Sequence, residues 1–154
     1  MPRLDSPPSR QLREFIAKFD PPHQVLIRAI RRSLRKRFPT AYELVYDNYN
    51  FFVIGYGPTA RPSDCIISIA AGASGVGLCF VQGARLPDPD KLLLGSGKQT
   101  RFIRLESASV LDRSAVKALL AAAVARSGTP MPASGGGELI IRSISKKQRP
   151  RRKT

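Results

Sequence analysis

Apolar residues recur with a period near 3.6 in the first quarter of the chain, which predicts two amphipathic helices. The first begins at Ser9, and one of its faces carries four apolar residues: Leu12, Phe15, Ile16 and Phe19. The second begins at Asp20, a capping carboxylate that is followed by proline, and runs to about Arg37, before Pro39. Its apolar stripe consists of Leu26, Ile30, Leu34 and Phe38.

After Pro39 the period falls to two residues, which indicates β-strands. The first two strands are joined by a turn at Asn48–Tyr49, and the next two are joined by the glycine-rich turn GASG. A fifth strand is predicted in TRFIRLES. The predicted strands cover residues 42–47, 50–56, 65–71, 76–83 and 100–107.

Two aspartates mark helix starts in the second half of the chain. Asp88 is predicted to cap a single turn, Pro89–Leu94, and Asp112 to cap a last helix, RSAVKALLAAAVARSG. Residues 128–137 have the composition of a linker. In residues 138–145 apolar and polar residues alternate well enough to predict an extra strand, which a solvated basic tail would follow. The simpler alternative is a linker followed by a disordered end.

This order of elements predicts an α+β fold. We expect an antiparallel sheet of about five to six strands, with two N-terminal helices and one C-terminal helix packed against it. The chain divides into a mobile N-terminus (1–8), one domain (9–127) and a C-terminal segment (128–154).

The composition is that of a folded protein, with 42% hydrophobic residues and no apolar run long enough to span a membrane. No segment of signal-peptide type is visible at the N-terminus, so we expect a cytoplasmic location. Cys65 and Cys79 lie in predicted buried strands and are expected to be reduced core thiols.

The net charge of +15 narrows the classes of partner. Residues 128–154 hold seven of the 26 basic residues and one of the 11 acidic ones, so the excess is densest there. Such a field favours polyanions such as nucleic acid, anionic lipid or acidic protein, although it also keeps a small domain soluble.

The string Gly-Ser-Gly-Lys at 95–98 resembles part of a nucleotide-binding loop. Leu92 stands where the loop of ATPases needs its first glycine, and Gln99 stands where the loop needs a hydroxyl, so that reading is excluded. Backbone amides of this loop beside Lys98, Arg101 and Arg104 remain one hypothesis for an anion site, and a solvated strand edge is the other.

The sequence contains few residues suited to acid–base catalysis or metal binding. His23 is the only histidine, and Asp88 with Asp90 would make a weak metal site. We therefore predict no catalytic residues, no metal ligands and no cofactor.

Aromatic residues beside basic ones suggest a surface for single-stranded nucleic acid, although strand alternation sends some of these rings into the core. The candidate ligand site consists of Tyr46, Asp47, Tyr49, Asn50, Ser96 and Gly97. The candidate anion and nucleic-acid contacts are Arg28, Arg32, Arg35, Lys36, Lys98, Arg101, Arg104, Lys146, Lys147 and Arg149. Runs of basic residues are also common on solvated protein surfaces that bind no ligand.

The segments YELVYDNYNFFVIGYGPTARPSD and GVGLCFVQGARLPDPDKLLLGSGKQTRFIRLES, with the alanine-rich helix, resemble the YdhG-like family of bacterial domains. The resemblance covers about residues 20–127 and is most specific from Gly83 to Lys98. It implies one compact α+β domain without agreed catalytic residues, and some relatives are frataxin-like iron chaperones. We predict a non-enzymatic binding or adaptor module for polyanions such as nucleic acid; the alternative is a module for a small ligand or iron.

Overall fold

The computed structural model describes residues 6–153, and in this range three α-helices and six β-strands form an α+β fold. The helices are α1 (Pro7–Ile16), α2 (Pro21–Arg37) and α3 (Ser114–Ala125). The strands are β1 (Tyr42–Asp47), β2 (Phe52–Gly57), β3 (Ile67–Gly72), β4 (Gly75–Phe80), β5 (Arg101–Arg104) and β6 (Leu139–Ile144).

The six strands form one sheet in the order β5-β4-β3-β2-β1-β6. Neighbouring strands are antiparallel except β6, which pairs with β1 in parallel. The sheet is therefore mixed, and our prediction of a purely antiparallel sheet was wrong in this respect. The reason is that the chain returns from α3 to the end of the sheet where β1 begins, so that β6 runs in the same direction as β1.

A run of three glycines makes this return path. Gly135, Gly136 and Gly137 all have φ between 64° and 72°, a left-handed conformation that favours glycine. A Cβ atom on Gly136 would lie 2.4 Å from the carbonyl oxygen of Thr40, so a side chain there would collide with the backbone. What looked like a flexible linker is a segment that passes close to the start of β1.

One hydrophobic cluster contains side chains from all three helices and from one face of the sheet. Phe15 and Phe19 place their rings 6.2 and 5.9 Å from the ring of Phe52 in β2, while α2 contacts β3 and β4. Alternate residues of the strands point away from this cluster, as the pleat requires. The opposite face of the sheet carries small side chains at its centre: Gly55, Ser68, Ala70 and Gly77.

Several element boundaries differ from the predicted ones for local reasons. Helix α1 begins earlier, because Ser6 rather than Ser9 is its N-cap and accepts a hydrogen bond from the backbone N–H of Ser9. Of the predicted mobile N-terminus, residues 1–5 lie outside the described residues. The carboxylate of Asp88 accepts hydrogen bonds from the N–H groups of Leu92 and Leu93, but no helical turn follows, since Lys91 has a φ of 53°.

No helix within residues 6–153 combines the length and the apolar character needed to cross a membrane.

Candidate functional site

The C-terminal segment is bound along the β1–β2 turn at one end of the sheet. The N–H of Ser145 donates to the carbonyl of Asp47 at 2.9 Å, and the N–H of Arg149 donates to the carbonyl of Tyr49 at 2.8 Å. The side-chain amide of Gln148 also donates to the carbonyl of Asp47. The segment that we predicted to be a solvated tail is therefore docked by backbone hydrogen bonds as far as Arg149.

Arg151 fastens this segment to the interior. Its side chain is 3% exposed and donates to Oδ1 of Asp47 at 2.9 Å, while Lys18 donates to Oδ2 of Asp47 at 2.6 Å. Arg151 also donates to the carbonyls of Asn48 and Asn50. Asp47 is fully buried and anchors the C-terminal segment, and its place in a ligand site stays a prediction.

Beyond this anchor, Arg152 and Lys153 reach the connection between α1 and α2. The guanidinium of Arg152 donates to the carbonyls of Lys18 and Ala17 at 3.1 and 3.3 Å. The backbone N–H of Lys153 donates to the carboxylate of Asp20 at 3.3 Å. Asp20 thus binds the end of the chain, and its side chain makes no capping hydrogen bond to α2.

A cleft of about 610 Å³ lies between the docked segment and the turns of the sheet. One wall is Asn50 and Phe51 from the β1–β2 turn, and the floor is Gly72, Ala73 and Ser74 from the β3–β4 turn. The other wall is formed by Arg149, Pro150, Arg152 and Lys153. Three of the residues lining this cleft are basic and none is acidic. Its volume is in the range of small-ligand sites.

One exposed aromatic ring, that of Phe51, lines the cleft, and a second, that of Tyr49, contacts the lining residue Arg149. Phe51 is 52% exposed, and its ring lies against Gly72, where a Cβ atom would be 3.4 Å from the ring. Tyr49 is 47% exposed, and the guanidinium carbon of Arg149 lies 5.7 Å from the centre of its ring. Nε of Arg149 donates to Oδ1 of Asn50 at 2.9 Å, which fixes the cation beside the turn. The guanidinium of Arg149 is thus held against the ring of Tyr49.

A second cleft, of about 460 Å³, continues on the other side of the β3–β4 turn, and Ser74 lines both. Its remaining lining comes from the start of α2 and the end of β5, including His23, Arg104 and Glu106. The two clefts form a trough across one end of the sheet, with its strongest positive charge at the C-terminal segment.

The predicted site residues fall into three separate groups. Asn50 and Arg149 line the first cleft, with the ring of Tyr49 against Arg149, and Arg104 lines the second. Ser96, Gly97 and Lys98 precede β5 at the opposite end of the sheet, where Arg101 donates to the carbonyls of Gly97 and Thr100. The third group lies on α2, where the side chains of Arg28, Arg32 and Lys36 are exposed.

Arg35 and Tyr46 have other neighbours. Arg35 lies 3.8 Å from the buried carboxylate of Glu43. Tyr46 is on the open face of the sheet, and burial, followed by the charge of Cys65, raises its pKa. Lys146 and Lys147 are exposed near the end of β6. Phe51, Arg152 and Lys153, which line the first cleft, were not among the candidate site residues named from the sequence.

Glu43 forms a buried polar cluster between β1 and the helices. Its carboxylate accepts two hydrogen bonds from Arg31, each 2.9 Å, and one from the hydroxyl of Tyr56 at 2.8 Å. Burial, and then the charge of Glu43, raise the pKa of Tyr56 well above its usual value. Burial alone would lower the pKa of Arg31, but the hydrogen bond and charge of Glu43 raise it.

Both cysteines are free thiols. Cys65 donates to the carbonyl of Ile67, and burial raises the pKa of its thiol to about 11. Burial also raises the pKa of Cys79. The thiolate is the nucleophilic form, so neither cysteine is placed to react at neutral pH.

We expect Cys65 to be alkylated slowly. A thiol with a pKa of about 11 is about a hundredfold less ionised at pH 8 than an ordinary thiol, so iodoacetamide should react about a hundredfold more slowly than with a free peptide thiol. The rate, measured by mass spectrometry on the Cys79→Ser variant, should rise about tenfold per pH unit up to about pH 11. A rate equal to that of the peptide would contradict the assignment.

Within residues 6–153, no three His, Cys, Asp or Glu side chains are close enough together to hold a metal ion. No family model, curated protein or solved structure matches this chain. The function is therefore inferred from the geometry of the molecule, and the YdhG-like resemblance stays a prediction.

Proposed function

We propose that this protein is a nucleic-acid-binding module whose interface is the trough at the end of the sheet. The observation that carries the proposal is the first cleft, where Arg149, Arg152 and Lys153 stand opposite an exposed aromatic ring with no acidic residue in the lining. Phosphate contacts from lysine and arginine supply most of the affinity of such modules.

The docked C-terminal segment supports the proposal, because it holds the cations in place before a ligand arrives. Arg151 and the backbone hydrogen bonds of Arg149 fix the chain on both sides of the cleft wall. Ordering flexible basic side chains on binding costs about 0.5–1.5 kcal/mol each, and a fixed wall reduces this cost. The net charge of +15 adds long-range attraction for a polyanion.

The exposed basic side chains of α2 are a second, weaker candidate surface. Arg28, Arg32 and Lys36 are spaced by four residues and so form a stripe along the helix, with about 6 Å of rise between them. None of these three residues lines either of the two clefts. We therefore treat the stripe as a control of equal charge.

The test compares two triple variants that each remove three positive charges. Arg149→Gln/Arg152→Gln/Lys153→Gln should weaken binding of an oligonucleotide at least tenfold at about 100 mM salt, and should lower the slope of log K against log salt by about 2 for a single strand. Arg28→Gln/Arg32→Gln/Lys36→Gln should have a clearly smaller effect. Fluorescence anisotropy over a salt series measures both quantities.

Lys153→Gln alone tests the cleft with less risk to the fold. Among the described residues, Lys153 bonds to the rest of the protein only through its backbone N–H, which the substitution keeps. Its matched control is Lys98→Gln at the opposite end of the sheet. Thermal unfolding of each variant checks that the fold is kept. Equal losses for the two triple variants would show that net charge alone matters, and wild-type protein that binds no oligonucleotide at low salt would refute the function.

The alternative of a small-ligand or iron-binding module has no comparable support. The first cleft is large enough for a small ligand, but its charged residues all favour an anion. No feature of the described residues favours iron.

A further inference from the structure

We infer that the first cleft binds a single-stranded nucleic acid, with one unpaired base stacked on Phe51. This inference rests on the proposed function and specifies its ligand. Phosphate contacts alone would serve a duplex as well as a single strand. The aromatic ring makes the difference, because only an unpaired base presents its face for stacking.

The exposure of Phe51 is set by the strand register. Phe52 opposes Ala71 in β3 and points into the core, where it contacts Phe15 and Phe19. Phe51 must therefore point to the open face of the sheet, beside Gly72. Because Gly72 has no side chain, the ring rests on the backbone of β3, and about half of its surface remains free.

Tyr49 and Phe51 are the two exposed aromatic residues in the part of the chain that the structure describes. The ring of Tyr49 already carries the guanidinium of Arg149. Within residues 6–153, the ring of Phe51 makes no aromatic pair and no cation–π contact. Phe51 is therefore the ring available to a base, while Arg149 is placed for the phosphate.

The open face of the sheet gives a single strand room to continue from the cleft. Tyr46 opposes Val53, so Phe51 is its diagonal neighbour on this face, at a separation of about 7–8 Å. Arg142 lies near Tyr46, since its charge lowers the pKa of the Tyr46 hydroxyl against the larger effect of burial. A second aromatic and basic pair, Tyr46 and Arg142, thus lies beside the first on this face.

The inference is tested with three probes and the full chain: a single-stranded oligothymidylate of about 20 nucleotides, a duplex of the same length, and vesicles that contain phosphatidylserine. We expect the single strand to bind more tightly than the duplex. Phe51→Ala should weaken single-strand binding about five- to a hundredfold, the range found when a stacking ring is removed. The same substitution should leave duplex binding unchanged.

Two further variants separate stacking from general effects. Phe51→Tyr keeps the ring and should retain single-strand binding, while Val25→Ala removes another exposed apolar side chain and should change nothing. Duplex binding as tight as single-strand binding, with no effect of Phe51→Ala, would overturn the inference and leave the proposed function intact. Binding to vesicles without binding to either oligonucleotide would overturn both.

Discussion

Replacing Asp47 with alanine is expected to lower the free energy of unfolding by about 3–5 kcal/mol, because it leaves the charge of Arg151 buried without a partner. The protein can avoid this cost only by releasing the C-terminal segment, which removes the hydrogen bonds that Arg151 and Arg149 make to the β1–β2 turn. Both routes destabilise the native state. Urea unfolding followed by circular dichroism measures the loss.

The other two residues of the cluster serve as controls. Lys18 is 42% exposed, so Lys18→Met should cost no more than about 1 kcal/mol, as is typical of exposed ion pairs. The loss of unfolding free energy for Arg151→Met should lie between those for Asp47→Ala and Lys18→Met, because Lys18 still neutralises the charge of Asp47. A loss below about 1 kcal/mol for Asp47→Ala would contradict the buried anchor.

A different substitution of Asp47 connects stability with binding. Asp47 does not line either cleft, yet it holds the segment that contributes the cleft wall. If the proposed function is correct, Asp47→Asn should weaken oligonucleotide binding although it removes a negative charge. A model based on net charge alone predicts the opposite sign.

The periodicity of the chain carried enough information for most of the fold. The two-residue period located five strands, and the bounds of β1 were predicted as found, because their side chains alternate between the core and the open face. The direction of β6 was not predictable from local pattern, since a strand can join the edge of β1 in either direction. That choice depends on where the chain passes Thr40, a tertiary contact.

The site was less accessible to sequence reasoning than the fold. Alternation places Asp47 on the same face as Val45, so a buried carboxylate in need of a cation could have been inferred. The identity of that cation could not be inferred, because Arg151 is 104 positions away in the sequence and resembles the other basic residues of the C-terminal segment. The exposure of Phe51 was not predictable either, because it depends on the glycine that faces it in β3.

Glu43 is the second residue whose loss should have a large effect. Glu43→Ala leaves the guanidinium of Arg31 and the fully buried hydroxyl of Tyr56 without their shared acceptor. We expect a loss of about 3 kcal/mol in the free energy of unfolding, near the lower end for buried pairs, because Arg31 is 20% exposed and can recruit water.

Tyr56→Phe separates the two contributions to this loss. It removes one hydrogen bond and keeps the ion pair with Arg31, so it should cost about 1 kcal/mol. Glu43→Gln keeps an acceptor for the hydroxyl and removes the charge, so its cost should lie between those of the other two variants. If Tyr56→Phe cost as much as Glu43→Ala in urea unfolding, the hydroxyl and not the ion pair would be the stabilising partner of Glu43. Since this cluster lies away from both clefts, none of the three substitutions should change oligonucleotide binding by the folded protein, which distinguishes Glu43 from Asp47.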